Sequence, residues 1–309
     1  MHTFNSVYLE EGQVFSSKIH IIGGLNHEHQ TNAANEVYDA ANNNWRTAKP
    51  MPTPRQALSI AAHGGILFGI GGWNGEIFFG TNESYDPVTD TWEKRNTMPQ
   101  PREGLSCISH DATIYAIGGV IANHFRVATN HAYNISEDIW SERTPMPTPR
   151  VLFSTSICNG IVYTIGGSGK LQNGSWYTDA NEAYDPESDS WSSRTPMPTP
   201  RYGAACGLID GKIHVIGGSN HPFRPYCGLK VHEAYDVARD TWISRSPLPY
   251  PGVFLAACVA GDRLLTFGGY SDGAVDFVHA YDSSRDSWTA LAPMPTARYV
   301  AGAALTAGP

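Results

Sequence analysis

Pro145-Met146-Pro147-Thr148-Pro149-Arg150 opens the stretch that decides the fold. A β-like run follows at Ile161–Ile165, then Gly166-Gly167, Tyr184, Trp191, and the same phrase again as Pro196-Met197-Pro198-Thr199-Pro200-Arg201. The unit recurs outward in both directions. Double glycines begin at Gly23, Gly71, Gly118, Gly166, Gly217 and Gly268, and tyrosines follow at 38, 85, 133, 184, 235 and 281. Tryptophans stand at 45, 92, 140, 191, 242 and 288. Tyrosine to tryptophan is 7 residues in all six units. Tryptophan to the closing position is 10, and that position is arginine everywhere except at Gly252. The stretch from second glycine to tyrosine alone varies, from 12 to 17 residues. Six fixed frames therefore each carry one adjustable loop.

Each frame holds four strand-like pieces. The first follows the arginine and is rich in small residues, as in Ala204-Ala205-Cys206-Gly207-Leu208. The second ends at the double glycine, the third contains the tyrosine, and the fourth runs from the tryptophan. Asn159-Gly160 and Asp210-Gly211 sit between first and second pieces, where a tight hairpin requires positive φ. Four-stranded units of about 50 residues repeated around an axis make a β-propeller. The expectation is an all-β, six-bladed propeller of antiparallel blades. It is one domain over 1–309, with repeats at 18–55, 56–102, 103–150, 151–201, 202–252 and 253–298, although 309 residues alone suggest two domains.

The ends of the chain predict how the ring closes. Residues 298–305 repeat the pattern of a first strand. The alternative at 7–14 places Glu10 and Glu11 where the other units have small residues, and an unpaired carboxylate in a crowded inner strand is costly. A closing strand at 299–306 is therefore expected to join the N-terminal blade, with residues up to about Phe15 outside the inner ring.

Composition narrows the function. With 21 Lys and Arg against 29 Asp and Glu, the formal charge is −8. That disfavours a nucleic-acid or anionic-membrane binder. No apolar run approaches the ~20 residues of a membrane helix. No secretory signal is visible at the N-terminus, so the expected compartment is cytoplasmic. The five cysteines form no CxxC pair and are expected to be reduced. A monomer without cofactor is expected.

Double glycine, spaced Tyr and Trp, then Met-Pro-x-x-Arg resemble the kelch repeat, over about 18–308. The resemblance implies a propeller whose relatives serve as protein-binding modules, sugar-handling enzymes or oxidase scaffolds. The Glu-x3-Asp-x3-His motif of iron-dependent relatives is not met by its nearest segment, 272–279.

Antiparallel neighbours put the arginines and the adjustable loops at one end of the blades. Loops that vary on a fixed frame are where binding usually resides. Arg55, Arg102, Arg150, Arg201 and Arg298 are expected around the mouth, giving a local positive field able to hold a carboxylate. Alanine at both Arg102 and Arg150 should then remove binding at little cost in stability. The loops add Trp73, Phe125, Arg126, Trp176, Tyr177, His221, Arg224 and Tyr226 as candidate contacts. His27 and His29, with His124 and His221, form a thin metal alternative. Two residues before the tyrosines stand Glu36, Glu83, His131, Glu182, Glu233 and His279, a frame position first and an acid–base candidate second. The reading is a ligand-binding propeller recognising an acidic or polar segment of a protein partner. The alternative is an enzyme acting on a small anionic or sugar-like substrate in the same mouth.

Overall fold

The structure, a computed structural model, describes residues 17–169, 176–221 and 226–306. It is built from six four-stranded antiparallel sheets. The one helical turn among the described residues is a 3-10 turn at Ala122–His124. The strands ending at the double glycines are Lys18–Ile22, Ile66–Ile70, Thr113–Ile117, Ile161–Ile165, Lys212–Ile216 and Arg263–Phe267, with the bounds expected from sequence. Their apolar residues are continuous rather than alternating because both sheet faces are covered by neighbouring blades. The small-residue strands Ser59–His63, Ser106–His110, Ser154–Cys158, Ala205–Ile209, Ala256–Ala260 and Gly302–Thr306 form the inner ring.

The core is divided into six wedges, one between each pair of blades. Tyr38, for example, packs with Leu265, Phe267 and Val278 of the last blade. Tyrosine and tryptophan face each other across each blade, with ring centroids 4.9–5.2 Å apart. Each indole N–H then donates to a carbonyl of the preceding blade, as Trp92 does to Lys49 at 2.9 Å and Trp45 does across the closure to Ala292 at 3.0 Å. A third frame residue lies five positions after the tyrosine: Asn43, Asp90, Asp138, Asp189, Asp240 and Asp286. Its side chain accepts from the tyrosine hydroxyl and from a backbone N–H of the preceding blade, as Asp90 does from Tyr85 and Lys49. All six have φ between 48° and 56°, which Asn and Asp tolerate best among residues with side chains.

The double glycines are also joints between blades. The N–H of the second donates to the carbonyl of its own unit's closing residue, which leads into the next blade, as Gly167 does to Arg201 at 2.9 Å. A Cβ on Gly166 would lie 2.6 Å from that same oxygen. Glycine is required there by close approach as well as by its φ of 68°.

The ring closes through the C-terminus. Gly302–Thr306 pairs antiparallel with Lys18–Ile22, from Ile22 opposite Gly302 to Lys18 opposite Thr306. The competing candidate at 7–14 lies outside the described residues. Just above the inner strands, two residues beyond each closing position, the backbones of Ala57, Gly104, Leu152, Gly203, Phe254 and Val300 form a closed circle. Each N–H donates to the carbonyl of the preceding member, and Ala57 donates to Val300, at 2.7–3.2 Å. All six are left-handed, with φ of 48–63°.

Candidate functional site

The arginines expected at the mouth point into the blades instead. Arg55, Arg102, Arg150, Arg201 and Arg298 are 0–1% exposed. Four of them pair with the glutamates two residues before the tyrosines: Arg55 with Glu83, Arg150 with Glu182, Arg201 with Glu233, and Arg298 with Glu36. Arg102 meets His131 at 3.1 Å. Each guanidinium also reaches carbonyls of its own blade, as Arg150 does at Gly166, Thr164 and Ala180. The other glutamate oxygen accepts from the Thr of the proline-rich phrase, as Glu182 does from Thr148 at 2.6 Å. Burial lowers the pKa of all five arginines, that of Arg102 to about 10. The positive ring is thus an internal brace, and none of these five guanidiniums is exposed at the mouth. The reason is reach: from the start of the inner strand, the side chain extends back across the second and third strands of its own blade. The glutamates are frame residues for the same reason.

The sixth unit confirms the brace by replacing it whole. Gly252 stands for the arginine, His279 for the glutamate, and Tyr250 for the threonine. The Tyr250 hydroxyl donates to the Gly268 carbonyl at 2.9 Å, and its ring lies 5.4 Å from His279. Removing one partner of a buried pair strands the other. Arg150→Ala is therefore expected to lower stability by about 3–5 kcal/mol, measured as a urea midpoint. This reverses the expected effect of alanine at that position. An unchanged midpoint would show that the brace carries no stability.

The mouth begins one residue later. Gln56, Glu103, Val151, Tyr202, Val253 and Tyr299 each follow a closing position, and each bridges the residue after a double glycine: Trp73, Val120, Ser168, Ser219, Tyr270 and Leu25. The adjustable loops and the ends of the inner strands therefore share one face, as the antiparallel geometry implied. Between them lies a cavity of about 480 Å³. Its floor includes Ala57, Gly104, Leu152, Phe254 and Val300 of the backbone circle.

One wall of the cavity is aromatic. Tyr226 and Tyr270 have ring centroids 4.4 Å apart, Tyr270 and Tyr299 5.3 Å, and Phe254 and Tyr299 6.2 Å. His29 donates to or accepts from the Tyr299 hydroxyl at 2.6 Å. Trp73 lies on the cavity too, backed by Phe78 at 6.0 Å. Glu103 is the one acidic lining residue, and no Lys or Arg lines the cavity among the described residues. Burial pushes the Glu103 carboxyl up to about 7.

The loop candidates divide accordingly. Trp73 and Tyr226 line the cavity. Phe125 is 65% and Trp176 46% exposed outside it, and the Arg126 guanidinium lies 5.2 Å over the Trp176 ring, joining two loops. Tyr177 bridges Ser168 by its backbone, and the His221 backbone N–H donates to the Ser219 hydroxyl at 3.3 Å. Arg224 lies outside the described residues. His27 flanks Gly273 while His29 engages Tyr299, and His124 sits in the 3-10 turn of another loop. Among the described residues, no group of three or more His, Cys, Asp or Glu is placed to hold a metal ion. Cys107, Cys206 and Cys258 are inner-strand thiols that burial pushes up to about 12. Glu103 and Tyr299 were not singled out from sequence. Their signal was the place directly after the repeated arginine.

Two family comparisons cover the chain. Residues 10–167 match the KLHDC2/KLHL20/DRC7 Kelch-repeats domain, and 149–198, 200–249 and 251–295 match the Kelch motif. Beta-scruin of Limulus polyphemus is 31% identical over 106 residues, 33% of this chain and 12% of that protein. Kelch-like protein 28 of Homo sapiens is 31% identical over 96 residues, 30% of this chain and 17% of that protein. Kelch-like protein 36 of Bos taurus is 30% identical over 104 residues, 34% and 16% respectively. The matched stretches thus amount to less than a fifth of these relatives' lengths. No described helix is long and apolar enough to cross a membrane. With six blades carrying the double glycine, the tyrosine–tryptophan pair and the proline-rich phrase, and with half the chain matching one family, the protein belongs to the kelch-repeat family.

Proposed function

We propose that this propeller binds a segment of a partner protein on the face formed by its adjustable loops. The observation that carries the reading is where exposed apolar area lies. Of the eight large apolar residues exposed among the described residues, five, Ile77, Phe125, Trp176, Tyr226 and Phe277, project from the loops after double glycines and are 41–65% exposed, while Val88 lies on a constant-length turn and Ile139 and Ile243 on outer strands. Tyr226 lines a cavity with an aromatic wall on the same face. Large, stiff side chains around a concave centre suit recognition because they offer area at small entropic cost. The opposite face keeps turns of constant length.

A displayed random-peptide library selected on the full chain tests this. Binders are expected to lose at least about tenfold in affinity with Trp176→Ala or Phe125→Ala, which corresponds to about 1.4 kcal/mol, while melting stays unchanged. Val88→Ala, on a constant-length turn, should leave binding intact. Equal losses at Val88, or no selected peptide, would refute the loop-face assignment.

The enzyme alternative keeps one observation in its favour. Glu103 is a carboxyl that titrates near neutrality inside a cavity able to stack a sugar ring. Interconversion of a reducing sugar's anomers, lost in Glu103→Gln, is the measurement that would promote it.

A further inference from the structure

We infer that the mouth of the propeller is a cage for a positively charged side chain, so that the partner segment inserts an arginine or lysine at the axis. This rests on the partner-binding reading above and gives it a chemistry opposite to that of an acidic segment.

Three features of the cavity point the same way. First, its charge is acidic among the described residues. The positions that ring the mouth carry one charged side chain, Glu103, and no cation lines the cavity among the described residues. The five guanidiniums that would have reversed this sign are enclosed within the blades, four of them against glutamates. Second, the wall opposite is made of electron-rich rings. Tyr226, Tyr270 and Tyr299 cluster within 4.4–6.2 Å of one another, and Trp73 lines the same cavity. A cation over such faces is attracted by the ring quadrupole, most strongly where water is thinned out. Third, the volume of about 480 Å³ fits an extended basic side chain with part of its backbone. The backbone circle sets the floor, so the side chain enters from the loop face.

Glu103 has the state such a site needs. Its carboxyl makes no hydrogen bond or ion pair among the described residues, whereas the brace glutamates have two partners each. A half-buried carboxyl without a partner holds its proton more tightly, and a cation entering the cavity favours its ionised form. The other titratable groups on the cavity are His29, Tyr226, Tyr270 and Tyr299. Arg102, next to Glu103 in sequence, turns its guanidinium to the Ala116 carbonyl and His131. Binding of a cation should therefore weaken as pH falls from 8 to 6 and Glu103 takes up its proton.

The test uses the full chain and two sets of probes. In calorimetric titrations, Nα-acetyl-arginine amide is expected to bind with a 1:1 stoichiometry, and Nα-acetyl-glutamate amide and methyl glucoside are not. Glu103→Gln should weaken the arginine amide by about tenfold or more and abolish the loss between pH 8 and 6. Tyr270→Leu should weaken it at both pH values. Melting curves of the variants check that they fold, and Glu103→Met serves if Glu103→Gln does not. Peptides selected from the random library should carry Arg or Lys and depend on Glu103. Tighter binding of the glutamate amide, or an unchanged affinity in Glu103→Gln, overturns the cage. Selected peptides that need Trp176 but carry no basic residue overturn the cage while leaving the loop-face reading intact. If no peptide is selected and the arginine amide still binds, the partner segment is overturned and a free organic cation takes its place.

Discussion

Truncation before Tyr299 is expected to abolish cooperative unfolding, not merely to lower its midpoint. The lost segment contributes the whole inner strand Gly302–Thr306 and its five-position ladder with Lys18–Ile22. It also removes the reciprocal Leu25–Tyr299 backbone bonds and both bonds of Val300 in the axial circle. Ala301, Ala303 and Leu305 leave the wedge between first and last blades, and Ala304 leaves the next one. Those losses fall on one sheet edge and two of six cores, in a domain whose net stability is on the order of 5–15 kcal/mol. Urea unfolding followed by tryptophan fluorescence should show a broad, shallow transition with a reduced m-value. A synthetic peptide covering 298–306, added in trans, should restore the sharp transition. A truncated chain that unfolds as sharply as the intact one would mean that closure lies elsewhere.

Acid should destabilise the propeller before carboxylates other than Glu103 protonate. His20, His131 and His214 are held neutral by burial, with pKa values near 4, and His232 near 3. His214 and His232 share one hydrogen bond of 2.8 Å, and His232 also donates to the Ser246 carbonyl at 3.0 Å. His232 uses its Nδ1 proton on Ser246, so its Nε2 accepts from His214, and protonating His232 would set N–H against N–H. The free histidine titrates near 6.5, so below that pH the unfolded chain takes up protons that the native state refuses. This stabilisation is complete above pH 6.5 and is lost as pH falls from there toward 4. Each such proton contributes about 1.4 kcal/mol per pH unit, so four together approach about 5 kcal/mol per unit near pH 5. Unfolding at pH 5 should then take up about three protons, nearly four on these histidines less most of one released by Glu103, which burial keeps protonated in the native state. His232→Asn should reduce that uptake by one or more while folding normally, because it recreates the His20–Asn35 pair of the first blade. A midpoint that does not move between pH 7 and 5 would contradict the assignment.

The frame was legible because its residues act over short, constant spacings. Tyrosine, tryptophan, double glycine and proline-rich phrase repeat with the geometry they serve, and the strand bounds followed from them. The Asp or Asn five residues after each tyrosine was equally regular, but its role between blades appears only when neighbouring blades are seen together. The arginines show where sequence runs out. Their regularity placed them correctly at the entrance of the inner strand, but a side chain that long can point either way. What decides the direction is the partner about 30 residues on, in the third strand of the same blade, a glutamate for four of them and His131 for Arg102. Gly252, Tyr250 and His279 change together in the sixth unit, and that covariation within one chain was the available clue. The mouth itself is read from single residues that do not repeat, Glu103 among them, so no pattern could mark them.

The axial circle of backbone bonds has a bearing on how such a protein can change over generations. Each member is held left-handed and donates to its neighbour in the same rotational sense, and Val300 completes the loop only after five others are in place. Val300, β-branched, is ill suited to that conformation, with φ of 48°. A chain that gained or lost one repeat by duplication or deletion would have to open the circle to seven members or tighten it to five. Every donor would then need a new angle at once, and the inner strands would part or collide. The circle thus counts the blades, and makes six a number that point mutations can decorate but that repeat copying cannot easily alter.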